Sequence, residues 1–224
     1  MQSHNKTIMK HLTIIIFSLL SILFAQAQTK NDPEAKKVLD AVSAKFKTFK
    51  SLKGNFTLEV KDANGKTQGK KTGVVYMKGV KYRISITGQE IFCDGKNVWT
   101  LDKDAKEVQI SEFDSNSGSL TPQKLFTNFY DKDFFYKLNG DKAVSGKSVK
   151  EIELTPTNKS KPFFKVLLNI DKATNMINST QIFEKTGNRY QYALSNISTN
   201  AAIGDDMFVF DSKKFPGVEI IDLR

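Results

Sequence analysis

Histidine is almost absent from this sequence, and both copies, His4 and His11, lie close to the N-terminus. Beyond residue 11 the chain has no imidazole, the commonest general base and the commonest metal ligand. Serine–histidine and cysteine–histidine nucleophile pairs are therefore excluded there, and zinc would lack its usual ligands. No glycine-rich loop of the phosphate-binding type occurs either. We expect no enzyme, no metal and no cofactor.

Cysteine and arginine are also scarce. Cys93 is the single cysteine, so no intramolecular disulfide can form and an apolar core must hold the fold together. Most of the formal net charge of +10 comes from lysines that are spread along the chain. Nucleic-acid binding is not expected, because readers of nucleic acid favour arginine in dense patches. Scattered lysines indicate a solvated surface or a weak attraction to anionic membranes or acidic partners.

The N-terminal region has the three parts of a secretory signal peptide. Lys6 and Lys10 precede an apolar run at 12–25, and Ala25-Gln26-Ala27 offers the small residues that a signal peptidase reads. The run is short for a helix that spans a bilayer. We predict a signal peptide at residues 1–27.

The rest of the chain, residues 28–224, is predicted to be one exported, soluble domain, since it shows no internal repeat and no linker. Either Met1 or Met9 is the start of translation. We expect Gln28 to be the first residue of the exported domain. A bacterial lipoprotein needs a cysteine at that position to receive its own lipid, so we expect this protein to stay soluble after export.

One amphipathic helix is predicted at the start of this domain. Asp32 suits an N-cap and Pro33 the first helical position. Apolar residues then recur at steps of three and four, at Ala35, Val38, Val42, Phe46 and Phe49.

From Leu52 onward the apolar period changes to two, which is typical of strands. Short turns such as Asn64-Gly65 separate the strands and favour antiparallel hairpins. The pattern predicts about eleven strands, at 52–60, 73–77, 82–86, 91–93, 98–101, 108–110, 149–154, 163–170, 178–184, 190–197 and 207–210.

An aromatic segment interrupts the strand pattern. Thr121-Pro122 predicts the start of a second helix, and the aromatic run continues to Tyr136 without strand-like alternation. The segment either packs on the core or forms a hydrophobic lid over a cavity. The lid candidates are Leu125, Phe126, Phe129 and Phe134.

A sheet of this many strands must close into a barrel or curl around something, and the sequence leaves open whether the interior is filled or hollow. If it is hollow, we expect the wall to carry apolar residues that share a face by the two-residue period. The predicted cavity residues are Phe56, Leu58, Val75, Met77, Tyr82, Ile84, Ile86 and Trp99. For Trp99 the opposite parity, with Val98 inside, is also open.

Short segments in a fixed order resemble the outer-membrane lipoprotein carrier proteins, the LolA family. They are Ser51-Leu52-Lys53-Gly54-Asn55-Phe56-Thr57-Leu58, Gly73-Val74-Val75-Tyr76-Met77-Lys78, Asp94-Gly95-Lys96-Asn97-Val98-Trp99, Glu153-Leu154-Thr155-Pro156, Phe208-Val209-Phe210 and Pro216-Gly217-Val218.

The resemblance implies an incomplete antiparallel β-barrel of about eleven strands, with helices that cover a hydrophobic cavity for lipoprotein acyl chains. It also implies a monomeric periplasmic carrier of a Gram-negative bacterium. Such a carrier is loaded by an inner-membrane ABC transporter and delivers lipidated proteins to an outer-membrane acceptor. The family commonly has an arginine-proline pair after the second strand, and that arginine helps to latch the lid. This chain has Lys78-Gly79-Val80 there, with Arg83 further on.

Two other functions remain open from the sequence. A LolA-like module could bind lipid or mislocalised lipoprotein as a sensor. A periplasmic scaffold of the same fold would have a filled core and bind no acyl chain.

Overall fold

The computed structural model of this protein describes residues 31–114 and 130–224. Its strands are β1 (Leu52–Lys61), β2 (Thr67–Lys78), β3 (Lys81–Ile86), β4 (Gln89–Cys93), β5 (Asn97–Asp102), β6 (Glu107–Glu112), β7 (Phe134–Val144), β8 (Lys147–Pro156), β9 (Phe163–Asp171), β10 (Ile177–Glu184), β11 (Arg189–Thr199) and β12 (Glu219–Asp222). The helices are α1 (Pro33–Lys47) and α2 (Tyr130–Asp133), with short 3₁₀ helices at Asp205–Phe208 and Ser212–Lys214. Within these ranges, no helix has the length and apolar character needed to cross a membrane.

All twelve strands form one open sheet in the order β12-β6-β5-β4-β3-β2-β1-β11-β10-β9-β8-β7. Every neighbouring pair is antiparallel except β12 and β6, which are parallel. The pairing of β1 with β11 joins the two halves of the chain, and β7 and β12 lie at the free edges. The prediction of a mainly β, open antiparallel sheet is therefore confirmed, with one strand more than expected.

Hairpin connections lie at both ends of the sheet. Those at 62–66, 87–88, 103–106, 157–162 and 185–188 lie at the end where β1 stops and β2 starts, which we call the β1–β2 end. Those at 79–80, 94–96, 145–146 and 172–176 lie at the opposite end. Gly65 has a φ of 84° in its turn, as the Asn-Gly signal predicted.

Helix α1 begins as predicted, and its first residues also protect the edge of the sheet. One carboxylate oxygen of Asp32 accepts the N–H of Glu34 at 2.9 Å, and the other accepts the N–H of Leu138 in edge strand β7 at 3.0 Å. The bond from Leu138 is the main cause of the lowered pKa of Asp32. The Asp32 N–H in turn donates to the carbonyl of Tyr136 at 3.1 Å. An edge that would otherwise be open to another strand is thus covered by a helix terminus.

The main core lies on the sheet face against which α1 packs, which we call the inner face. Leu39 and Val42 of the helix meet residues of both halves of the sheet there, including Leu52, Met77 and Leu168. The hydroxyl of Tyr130 in α2 donates to Asp40 of α1 at 2.7 Å.

A C-terminal segment, residues 205–215, covers part of the outer face. The ring of Phe92 in β4 lies 6.1 Å from those of Phe210 and Phe215, and Phe208 is fully buried. The prediction of a strand at 207–210 is wrong, because Asp205–Phe208 form a 3₁₀ helix that buries the side chain of Phe208. The edge position beside β6 is taken by β12.

The aromatic run that starts at Phe134 is also a correction. It was expected to be part of a non-strand insert, but Phe134, Phe135 and Tyr136 begin β7 and pair with Pro156, Thr155 and Leu154 of β8. Burial alternates along the run, which shows the strand period that three adjacent aromatic residues conceal in the sequence.

Candidate functional site

An apolar cavity of about 320 Å³ lies on the inner face, between β1–β4 on one side and β10–β11 on the other. Its apolar lining residues are Phe56, Leu58, Val75, Met77, Ile84, Ile86, Ile91, Ile177, Ile182, Tyr192, Ala193 and Leu194. Its polar lining residues are Gln89, Asn178, Ser179 and Thr180.

The register of the paired strands brings the residues of the cavity wall together. Phe56 lies directly opposite Gly73 of β2 and Leu194 of β11, and directly paired residues share a sheet face. Gly73 is needed for this arrangement because a Cβ there would lie 2.1 Å from the Ser85 carbonyl oxygen and 2.9 Å from the Phe56 ring. The missing side chain leaves room for the aromatic ring across β2.

The cavity is closed at one end and accessible at the other. At the closed end Leu52, Met77 and Tyr82 are buried beside α1. Towards the β1–β2 end, Phe56 and Leu58 on β1 are only half-buried, as are Ile84 and Ile86 on β3. The described wall therefore opens at the β1–β2 end.

The described cavity wall has few titratable side chains. Tyr192 is the only titratable residue among its described lining residues, and burial raises the pKa of its hydroxyl. Elsewhere in residues 31–114 and 130–224, no group of three or more side chains is arranged to hold a metal ion. The geometry suits the binding of an uncharged, apolar chain.

Six of the eight predicted cavity residues line the wall: Phe56, Leu58, Val75, Met77, Ile84 and Ile86. Tyr82 shares their face but lies deeper, at the closed end, opposite Cys93. Burial raises the pKa of its hydroxyl. It belongs to the core beside the cavity and not to the wall.

Trp99 lies on the wrong face for a cavity residue, so this prediction is corrected. It is paired directly with Phe92, whose ring faces the C-terminal segment on the outer face. Val98, the alternative that the sequence left open, pairs with Cys93 and packs against the inner core. The register between β4 and β5 decides which face of the sheet Trp99 occupies, and its position after a tight turn does not.

Of the four predicted lid residues, only Phe134 lies within the described residues. Leu125, Phe126 and Phe129 lie outside the described residues, so a lid made by them stays a prediction. Phe134 is 1 % exposed at the start of β7, with its ring stacked 6.2 Å from that of Phe163. Phe134 is therefore a core residue, because strand pairing turns its side chain inward.

Half of the apolar wall comes from residues that the sequence analysis missed. Ile177 and Ile182 of β10, Tyr192 and Leu194 of β11, and Ile91 of β4 all line the cavity. The two-residue period puts Tyr192 and Leu194 on one face of β11. In β10, Ile177 and Ile182 are five residues apart, and a register shift between Ile177 and Ser179 brings both to the cavity wall. No local signal shows that β11 lies beside β1, so the sequence did not connect these faces with Phe56.

Lys78 stands where the resemblance leads one to expect an arginine. Its Nζ donates to the carbonyl of Ile203 at 3.0 Å and pairs with Asp205 at 2.8 Å. Lys81 pairs with the same carboxylate at 2.7 Å. Hydrogen bonds from Lys78 and Lys81 lower the pKa of Asp205 to about 2. In the described residues, these lysines hold the C-terminal segment at the opposite end from the cavity opening.

Comparisons with solved structures find similar folds in other bacterial proteins. An uncharacterized conserved protein from Thermus thermophilus has a TM-score of 0.57 at 11 % identity, over 84 % of this chain and 99 % of the other. A LolA superfamily protein from Nitrosomonas europaea has 0.43 at 16 %, over 80 % and 98 %. The Mycobacterium tuberculosis lipoprotein LppX has 0.47 at 13 %, over 79 % and 100 %. Among curated proteins none matches this sequence significantly.

A family model described as outer membrane lipoprotein carrier protein LolA matches residues 47–211. This range runs from the end of α1 to the C-terminal segment and contains β1–β11 with the whole described cavity wall. The match agrees with the open antiparallel sheet and its apolar cavity. This chain belongs to the LolA family of outer membrane lipoprotein carrier proteins.

Proposed function

We propose that this protein is a periplasmic carrier that shelters the acyl chains of lipidated proteins between the inner and the outer membrane. The observation that carries the proposal is the apolar cavity, which opens at one end of the sheet and has no charged residue in its described wall. Membership of the LolA family supports the same function.

The energetics of acyl chains explain why such a cavity is useful. Each methylene that leaves a membrane for water costs about 0.8 kcal/mol, so a lipidated protein leaves a bilayer very slowly without help. A cavity of about 320 Å³ is at the small end of ligand sites, which span roughly 300–1,000 Å³. A small, open site can hold part of a lipid anchor and still release it to a better acceptor.

Loading and release require partners under this proposal. The described residues include no nucleotide-binding loop, so the free energy that extracts the anchor must come from another protein. We propose an inner-membrane ABC transporter as the donor and an outer-membrane protein as the acceptor.

The experiment changes one residue of the wall. Ile84→Glu places a carboxylate in the cavity, and burying a charge among apolar side chains is unfavourable. We expect the loss of binding of a fluorescent fatty-acid probe and of lipoprotein transfer between membrane vesicles. Ile220→Glu is the matched control, because Ile220 is 53 % exposed on edge strand β12 and should tolerate the same change.

The results separate three functions. Normal probe binding by a folded Ile84→Glu variant would contradict the cavity as the binding site. A wild-type protein that binds the probe but transfers no lipoprotein would be a binding or sensing module. A wild-type protein that binds no acyl ligand would be a scaffold.

A further inference from the structure

A lysine interrupts the apolar series on the inner face of β2. Met77, Val75 and Gly73 follow one another there at the two-residue period. Lys71 is the next residue of this series towards the β1–β2 end. It pairs directly with the wall residue Leu58 of β1, so both side chains leave the sheet on the inner face. A cation therefore lies at the margin of a described wall that has no charged residue.

The same row of the sheet carries a second hydrogen-bond donor. Leu58 also pairs with Tyr192 of β11, which lines the cavity. Lys71 and Tyr192 thus flank Leu58 on the two adjacent strands, each about 5 Å away from β1. Burial, and after it the nearby Tyr190 and Glu184, raise the pKa of Tyr192. Its hydroxyl therefore keeps its proton and can donate it to a ligand.

Both donors lack a partner in the part of the chain that the structure describes. Lys71 forms no ion pair with a described carboxylate, and no hydrogen bond joins its ammonium or the Tyr192 hydroxyl to another described residue. Lys71 is exposed, because β2 continues beyond the end of β3, where Ile86 pairs with Gly73. The stem of a lysine at this position can lie along apolar neighbours such as Leu58, with its ammonium at the cavity opening.

The carboxylates near the cavity opening form hydrogen bonds within their own turns. Asp62, Asp102 and Glu184 each accept a hydrogen bond from a residue of the adjoining hairpin loop. Asp102 and Glu184 also lie three strands away from β2, about 14 Å along the sheet, which exceeds the screening length of about 8 Å at 0.15 M salt. Lys71 is therefore the charged residue nearest to Leu58 on the described inner face.

We propose that Lys71 and Tyr192 bind the anionic head group of an acyl lipid, a carboxylate or a phosphate, while the acyl chain lies in the cavity. This site rests on the acyl-binding cavity of the proposed function and adds a second class of ligand, single lipid molecules with a negative head. A chain that extends past Phe56 towards the closed end leaves its head near Leu58, between the two donors. Hydrogen bonds to a charged head are stronger than those between neutral groups.

The test compares a fluorescent long-chain fatty acid with its methyl ester, which has the same chain and no charge. Wild-type protein should bind the acid roughly three- to tenfold more tightly than the ester. Lys71→Met removes the charge and keeps an apolar stem, so we expect it to lose this preference and to bind the ester as the wild type does. Lys71→Arg should retain the preference, because a guanidinium is also a cation. Tyr192→Phe keeps the ring in the wall and should lose part of the preference.

Lys70→Met is the matched control. Lys70 precedes Lys71 on the same strand and is also exposed, but it pairs with Glu59 on the outer face. The control changes the net charge by the same amount as Lys71→Met, and it should bind both the acid and the ester as the wild type does.

Equal binding of acid and ester by the wild type would overturn the proposal. A full preference in Lys71→Met or Tyr192→Phe, or a lost preference in Lys70→Met, would also overturn it. Displacement of the fluorescent acid by lysophosphatidylglycerol and by lysophosphatidylcholine identifies the source of the head group. An advantage of the glycerol lipid that depends on Lys71 indicates a phospholipid, and its absence indicates a free fatty acid.

The methyl ester separates the head-group site from the cavity itself. Binding of both ligands without discrimination contradicts the head-group site alone. If the wild type binds neither the acid nor the ester, the proposed carrier function is contradicted as well.

Discussion

At the scale of single residues, the shape of the cavity depends on an absent side chain. The Phe56 ring and the Ile86 side chain both approach position 73, where a Cβ would lie 2.9 Å from the ring and 2.7 Å from Ile86 Cγ2. The backbone oxygen of Ser85 is closer still and cannot rotate away. Any side chain at position 73 must therefore displace β3 or the cavity wall.

We predict that Gly73→Ala destabilises the protein by about 1–3 kcal/mol, the usual range for overpacking, and weakens fatty-acid probe binding. Urea unfolding and a probe titration measure the two effects. Gly69→Ala is the control on the same strand, since nothing lies within 4 Å of a Cβ there. Equal effects at the two positions would contradict this account of the wall.

At the scale of elements, Asp32 connects helix α1 to edge strand β7 with one carboxylate. Asp32→Ala removes both the helix cap and the partner of the Leu138 N–H, and we expect a loss of about 0.5–2 kcal/mol for the cap alone. Asp32→Asn keeps one oxygen for the Glu34 N–H, but its amide nitrogen cannot accept from Leu138.

Unfolding free energies should therefore rank the wild type first, Asp32→Asn second and Asp32→Ala last. Hydrogen exchange of the Leu138 amide gives a local measurement, because both variants should expose it. An asparagine variant as stable as the wild type would show that the bond to β7 contributes nothing.

The C-terminal segment has an electrostatic attachment that acid should release. The pKa of Asp205 is lowered to about 2 by Lys78 and Lys81, so its stabilising effect is present above the ordinary aspartate value of about 4. The effect is lost as the pH falls through the folded value. The segment should loosen between pH 4 and pH 2.

Trp99 can report this release, because it is the only tryptophan and its neighbour Phe92 packs against the segment. We expect a red shift of its emission on acidification while the far-UV circular dichroism of the sheet persists. Asp205→Asn should show part of that shift already at pH 7. An unchanged emission in this variant would contradict the attachment.

At the scale of the whole molecule, an occupied cavity should stabilise the fold. A ligand at 100 times its Kd adds about 2.7 kcal/mol to the unfolding free energy if it binds only the folded state. For a domain of this size we expect the Tm to rise by roughly 5–10 °C with a long-chain fatty acid. Butyrate, which buries few methylenes, and the Ile84→Glu variant with the long-chain acid should both show almost no rise.

Local periodicity was enough to predict helix α1 and most of the strands. The change from steps of three and four to steps of two separates α1 from the strands, and Asn64-Gly65 and similar turns require antiparallel neighbours. Parity within β1 and β3 also placed Phe56, Leu58, Ile84 and Ile86 correctly on one wall. These features follow from the backbone geometry of each element and need no distant contact.

Tertiary pairing decided the rest. Phe56 meets Leu194 only because β1 pairs with β11, across a sequence separation at which no local pattern operates. The parity of Trp99 depends on its register with Phe92, and Phe134 is a core residue because β7 pairs with β8. The sequence alone determined which residues can share a face, and the long-range strand pairing determined which of those faces enclose the cavity.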